Sequence, residues 1–256
     1  SLAVLHPDLE GEFVSTGRAH GSAARPQVEG EMRARQLGIA GLTVASLEAQ
    51  LDLDGTDQRE SRFDLRASTI GLGPVLLEDL RFDASGRTSD HVLALEFSSP
   101  AIQERRMPGF RGRVGATGAY EKDRREWRGR LADASVTFPD GSATLLQPAV
   151  IEASADEVRV APVCLQSGEA RLCAEGGRRA DPASWRVLYS AQDWPLKRLL
   201  RSILGWQEFD GRLQAAGWLG QEPGQEWTGG MTLLLDEPTL DIPRNKFRTE
   251  RVHLGT

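Results

Sequence analysis

The chain has 256 residues, 27% of them charged and 39% hydrophobic, with a formal net charge of −6 and a pI near 5.4. Arginines and acids are interleaved along it, so it lacks the clustered cations that phosphate contacts require, and nucleic acid is excluded as a partner. It carries no signal-peptide pattern, lipidation motif or apolar run long enough to span a bilayer. Its abrupt start, Ser1-Leu-Ala-Val-Leu5, and strand-like end, Arg251-Val-His-Leu-Gly255, read as the ends of a piece excised from a longer protein.

Period two runs through the chain. Leu47, Ala49, Leu51 and Leu53 alternate with Glu48, Gln50 and Asp52. A Gly55-Thr-Asp-Gln58 turn then leads to Phe63, Leu65 and Ala67, alternating with Arg62, Asp64 and Arg66. That is a hairpin with one apolar and one charged face. The plan repeats with Leu80, Phe82 and Ala84, a polar turn at Ser85-Gly-Arg-Thr-Ser-Asp90, and Leu93, Leu95 and Phe97. Ile102-Gln-Glu-Arg-Arg-Met107 reads as a helical turn or an irregular loop. Strand units resume at Trp127/Gly129/Leu131 and Val136/Phe138, followed by the turn Pro139-Asp-Gly-Ser142 and by Val158/Val160.

Cys164 and Cys173 are the only cysteines. If Gly168-Glu169 is a two-residue loop with glycine first, as a type II′ turn requires, Ser167 faces Ala170 and Cys164 faces Cys173. Counting outward puts the cysteines at a non-hydrogen-bonded pair, where Cα atoms lie about 4.5 Å apart, within the span of a disulfide. The alternative is two reduced core cysteines. The registry match favours the disulfide, and hence an oxidising compartment such as a periplasm.

Further strands follow at Trp185/Val187/Tyr189, Leu213/Ala215/Gly217 and Met231/Leu233/Leu235. Between them, Pro195 to Leu204 places Leu196, Leu199, Leu200, Ile203 and Leu204 on one helical stripe, with Pro195 in the first turn and Gly205 just past the end. This predicts a short amphipathic helix over 195–204, packed on a sheet face or plugging an apolar groove.

Strands at this spacing without alternating helices exclude a doubly wound α/β domain and leave a sandwich, a barrel or an elongated curved sheet. An apolar content of 39% with 6% aromatics is thin for a sandwich core of this length. The expected fold is therefore all-β, an elongated, curved, mostly antiparallel sheet forming an apolar groove, continuous over 1–256 as a single segment.

Catalysis finds little support. His6, His20, His91 and His253 are isolated, and none has the i, i+4 spacing of a zinc helix. No Gly-x-Ser-x-Gly elbow occurs. Asp52-Leu-Asp-Gly-Thr-Asp57 has its glycine misplaced for a calcium loop and reads as a polar turn. Gly71-Leu-Gly73 precedes a proline and opens no helix, so it is not a phosphate loop. Neither a metal nor a cofactor is expected.

The Ala161–Gly176 block around the cysteines is followed by Trp185, by Asp193-Trp-Pro-Leu-Lys-Arg-Leu199 and by Phe209-Asp-Gly-Arg-Leu-Gln-Ala-Ala-Gly-Trp-Leu-Gly220. In that order these residues resemble the central and C-terminal region of the TamB family, the inner-membrane-anchored component of the translocation and assembly module. The Asp79–Leu95 hairpin and the Gly30–Gly41 stretch resemble repeats of the wider AsmA-like superfamily. The resemblance implies a trough-shaped sheet, or β-taco, similar to bridge-like lipid transfer proteins. It also implies a location in the Gram-negative periplasm, phospholipid acyl chains as ligands, and a TamA-like outer-membrane barrel as partner of the full-length protein.

Three functional classes remain: a lipid conduit, a scaffold presenting strand edges to nascent outer-membrane proteins, and a structural β-stalk or adhesin segment. For the first, parity within each strand selects Leu51, Leu53, Phe63, Leu65, Leu80, Phe82, Leu93, Leu95, Phe97, Trp127, Leu131, Val158, Val160, Val187, Leu233 and Leu235 as the groove lining.

Overall fold

The structure, a computed structural model, describes residues 10–22, 25–39, 42–72, 75–101, 109–139, 141–180, 183–195, 209–242, 245–248 and 251–255. Among the described residues every regular element is a β-strand, and every strand pairing is antiparallel. Backbone contacts divide the chain into two units, Ser1–Pro100 with Gly109–Lys122, and Ala101–Pro108 with Asp123–Thr256.

The first unit holds β1 (Glu10–Ser22), β2 (Arg25–Ile39), β3 (Leu42–Asp54), β4 (Ser61–Leu72), β5 (Val75–Arg87), β6 (Asp90–Ser99) and β7 (Phe110–Glu121). They form a meander in which each strand pairs with the next in sequence. The turn expected at 85–90 is tighter than its polar run suggests. Arg87 pairs with Asp90, leaving only Thr88 and Ser89 as the loop, and the strands absorb the rest.

The second unit holds β8 (Glu126–Phe138), β9 (Gly141–Leu145), β10 (Ala149–Ala153), β11 (Glu157–Ser167), β12 (Ala170–Ala180), β13 (Ala183–Pro195), β14 (Phe209–Gln221), β15 (Thr228–Ile242), β16 (Asn245–Arg248) and β17 (Arg251–Gly255). β9 and β10 are two halves of one interrupted strand, since both lie between β8 and β11. Pro148 sits in the break, where its missing N–H costs no ladder bond. β16 and β17 likewise share β15 as partner.

Within each unit the strands make their substantial contacts only with hydrogen-bonded neighbours, so neither unit has a second layer among the described residues. The all-β antiparallel expectation holds, and a sandwich core is absent among the described residues. The helix expected at 195–204 falls almost wholly outside the described residues; its first residue, Pro195, is the last residue of β13, opposite Arg212. The 102–107 segment also lies outside them.

The cysteine hairpin has the expected register. Ser167 pairs with Ala170, Gly168 takes φ 62°, and Cys164 faces Cys173 in a disulfide with Cα atoms 4.0 Å apart. The loop it closes is short, so the chain-entropy contribution is about 2–3 kcal/mol. The Cys164→Ala, Cys173→Ala double variant should lower the unfolding free energy by about that amount, measured by urea denaturation. The wild type should reproduce the loss when reduced.

Candidate functional site

Residues directly opposite each other in a sheet share a face, so the register converts strand parity into area. In the first unit three rows cross all seven strands. One runs Phe13, Ala34, Leu47, Ala67, Leu80, Phe97, Gly112; the next Ser15, Met32, Ala49, Leu65, Phe82, Leu95, Val114; the third Gly17, Gly30, Leu51, Phe63, Ala84, Leu93, Ala116. Ala19, Val28 and Leu53 begin a fourth. Aromatic rings knit the rows together, with Phe63 and Phe82 centroids 5.9 Å apart and Phe97 meeting Phe110 edge-on at 6.2 Å.

The face is held from behind by its own backbone and from the side by neighbouring side chains, and among the described residues of the unit no second layer packs on it. Only its small members are buried, Ala34, Ala49 and Ala67 among them, while its Leu and Phe residues are half-buried or exposed. No side chain among the described residues is fully buried.

The second unit repeats the pattern. Trp127, Ala153, Val158, Arg178 and Trp185 form one row, and Gly129, Ile151, Val160, Gly176, Val187 and Leu219 the next. Leu145, Leu165, Leu172, Ala191, Ala215 and Leu233 form another. Leu131 and Leu235 lie on the same side by alternation from Gly129 and Leu233. Arg178 is the one cation in these rows.

The parity in the first unit inverts once. Gln36 and Thr69 have φ 51° and 50°, and the ladder skips the row Gln36, Ala45, Thr69, Glu78. Beyond it the aliphatic row is Leu37, Val44, Ile70, Leu77, three residues rather than two from its predecessor in every strand. A left-handed residue turns the strand about its own axis, and the apolar positions change parity where it does so.

The opposite face of the first unit is charged. Arg33, Glu48, Arg66, Arg81, Glu96 and Arg113 form one row, alternating in sign except at Arg66 and Arg81. That like pair lies beside a second, Asp64 and Asp83, and the two compensate diagonally. Arg81 donates to Asp83 at 2.8 and 3.2 Å. This bond, ahead of the others, holds Asp83 below the ordinary carboxylate range. The hydrogen bond shared with Asp83, together with burial and the neighbouring charge, raises Asp64 above it.

At one rim the turns are stapled together. Asp54, 2% exposed, accepts hydrogen bonds from Thr56 Oγ1 at 2.6 Å, Thr56 N at 3.1 Å, Arg59 N at 2.9 Å and Gln27 Nε2 at 3.1 Å. The Thr56 hydroxyl is the largest influence, and with burial opposing it these bonds depress the Asp54 pKa far below the ordinary value. Asp57 accepts from Thr88 N at 2.6 Å and Ser89 Oγ at 3.0 Å. Burial pushes its carboxyl up, but the Ser89 and Thr88 bonds and the Lys122 charge outweigh it and hold it low. Lys122 Nζ donates to Gly55 O at 3.2 Å, and Tyr120 N to Thr88 O at 2.8 Å. These carboxylates thus bind turn amides and hydroxyls. Among the described residues no group of three or more His, Cys, Asp or Glu side chains is arranged to hold a metal ion. His91 Nδ1 lies 3.3 Å from the Arg87 carbonyl oxygen, at the foot of β6.

The family model described as TamB, N-terminal domain, matches residues 1–251. The chain belongs to the TamB family. The match corrects the position read from the sequence, which compared the cysteine block with the central and C-terminal region; the matching model is that of the N-terminal domain. No solved structure matches the chain. TamB membership places it in the Gram-negative cell envelope, in keeping with a periplasmic location. No helix among the described residues is long and apolar enough to cross a membrane.

For this TamB domain the structure puts Leu51, Leu53, Phe63, Leu65, Leu80, Phe82, Leu93, Leu95 and Phe97 on one face of the first unit. It puts Trp127, Leu131, Val158, Val160, Val187, Leu233 and Leu235 on one face of the second. Glu48, Asp52, Arg62 and Arg66 share the opposite face of the first unit. Sequence reasoning missed the contribution of β1, β2 and β7, whose face carries Phe13, Ala19, Val28, Met32, Ala34 and Val114 among glycines. Gly and Ala there blur the alternation.

Two predictions follow from these contacts. Gly112 lies under the Phe97 ring, and a β-carbon there would meet Cε1 at 2.7 Å. Gly112→Ala should therefore destabilise the fold by about 1–3 kcal/mol in urea denaturation, as overpacking does. Asp54→Asn places an amide N–H against the Thr56 or Arg59 donors and should be less stable than wild type at neutral pH. The folded pKa of Asp54 is depressed, so its contribution is fully present above the unfolded value of about 4 and is lost as pH falls below it. The stability difference between wild type and Asp54→Asn should be constant above about pH 5 and shrink below about pH 4, read from denaturation midpoints across pH.

Proposed function

We propose that the apolar face of each unit binds acyl chains and that the full-length protein uses such surfaces to carry phospholipid between the inner and outer membranes. The observation that carries this reading is the bare apolar face: in the first unit, rows of Leu, Phe and Val seven strands wide, with no layer of the same unit packed on them among the described residues. Monomeric soluble proteins seldom leave so continuous an apolar area uncovered. Membership of an envelope family supports a lipid as its natural complement.

The surface works passively on this reading, without catalysis. Each methylene laid on it gains about 0.8 kcal/mol with no directional contact, so a chain is retained yet free to slide. The charged rows on the opposite face keep the sheet soluble. A conduit also needs a donor and an acceptor membrane, so inner-membrane anchoring and a TamA-like outer-membrane barrel as partner of the full-length protein belong to the same proposal.

Phe82→Asp and Leu93→Arg test it, because both positions lie on the face in β5 and β6 and neither is fully buried. In the full-length protein each variant should fold and express normally, lose the phospholipid recovered by extraction and mass spectrometry, and fail to support outer-membrane lipid supply. If both fold and still support transport, a scaffold offering strand edges to nascent outer-membrane proteins replaces the conduit.

A further inference from the structure

One large aromatic side chain of the second unit stands on the polar face. Trp218 in β14 is opposite Leu188 in β13 and Gly230 in β15, with parity opposite to Leu213, Ala215, Gly217 and Leu219. Its indole lies flat on the sheet. A β-carbon built at Gly230 would sit 3.0 Å from the indole Nε1, and one at Gly220 would sit 3.3 Å from its Cζ3. Two glycines thus form a bed beneath the ring, and Trp218 keeps 41% of its surface open.

The adjoining row runs Arg159, Gly177, Arg186, Gly220, Thr228 across β11 to β15. Gly177 leaves the space between the two arginines unfilled, while Gly220 lies under the edge of the Trp218 ring. At Gly177 a β-carbon would overlap the Val158 carbonyl oxygen, so the gap cannot be closed by a larger residue without moving the strand. The result is a shallow depression of about 680 Å³. Five strands at ~4.8 Å spacing make it roughly 19 Å long. Trp218 and Leu188 wall one side, with Arg179, Ser184 and Glu222 on the other.

Charge selects the occupant. Arg159 is paired with Glu157 at 3.0 Å, whereas Arg179, Arg186, Glu175 and Glu222 have no ion pair among the described residues. A simple anion would satisfy the two arginines and be repelled by the two glutamates; a simple cation would meet the reverse. A pyranose ring presents a C–H face that lies on an indole, and hydroxyls that both donate and accept, matching guanidinium donors and carboxylate acceptors together. The length of the depression suits several rings end to end.

We propose that this depression binds a glycan chain, with one sugar ring stacked on Trp218. It lies on the face opposite the acyl-binding one and does not rest on the lipid reading. In a Gram-negative envelope two sources offer this chemistry, the glycan strand of peptidoglycan and the oligosaccharide of lipopolysaccharide.

The full chain is titrated by calorimetry with peptide-free peptidoglycan glycan strands and, separately, with delipidated lipopolysaccharide oligosaccharide. Soluble glycerophosphoethanolamine serves as competitor, because it carries a zwitterionic headgroup without acyl chains. At least one glycan should bind saturably and resist the competitor, and whichever binds identifies the source. Trp218→Ala should weaken binding about tenfold or more, as truncation of a stacked aromatic anchor does. Trp218→Phe, which leaves a ring on the glycine bed, should retain most of the affinity, and Arg186→Gln should weaken it with an unchanged thermal melt. The proposal is overturned if neither glycan binds the folded chain, if Trp218→Ala binds as tightly as wild type, or if the headgroup displaces the glycan.

Discussion

Both units depend on an unbroken antiparallel register. A strand side chain has only two directions, and a one-residue slip in any strand would exchange its Leu and Phe for Arg and Asp on the apolar side. The chain guards against this with short turns. Thr88-Ser89 and Gly168-Glu169 leave no slack, and the disulfide behind the second fastens β11 to β12 at the fourth residue pair out from the loop. In the first unit the Asp54 and Asp57 carboxylates add a second level of control by binding amides of their own and adjacent turns.

The division of labour between the faces follows from that register. On the apolar side, area is created by repeating one parity through successive strands. On the polar side of the first unit the same repetition sets charges opposite one another, and where like charges meet, at Arg66/Arg81 and Asp64/Asp83, the neighbouring row supplies the opposite sign. The disulfide sits on the polar side of the second unit, in a row with Ser190, Ala216 and Thr232, so it stiffens the sheet without occupying the greasy surface.

Much of this is legible in the sequence. Alternation is strict over Leu47–Leu53, Phe63–Ala67 and Leu80–Ala84, where charged or amide side chains occupy the intervening positions, and the face built from those segments matches their parity. The cysteine register was equally readable, since a glycine-led two-residue loop leaves only one pairing. The parity inversion at Gln36 and Thr69 was not, because neither residue type announces a positive φ. β1 and β2 were missed where Gly17 faces Gly30 and no side chain marks the face. Trp218 was visible only as part of a family-like string; its flanking glycines become informative once the register shows that Gly220 and Gly230 lie beneath it. The position within TamB is not legible in the sequence: the block compared with the central and C-terminal region lies within the match to the N-terminal domain.

Glycines beneath aromatic rings have a mechanical consequence. Phe97 lies over Gly112 and Tyr189 over Gly217, so each ring fills the pit that its partner's missing side chain would leave. The apolar faces are thereby levelled, with neither ridge nor hollow at those positions. Dispersion falls off steeply with distance, so a level floor gives a flexible hydrocarbon much the same grip at each successive offset. For the acyl chain proposed to lie there, sliding friction would be low even where adhesion is strong, because friction follows the corrugation of the energy and not its depth.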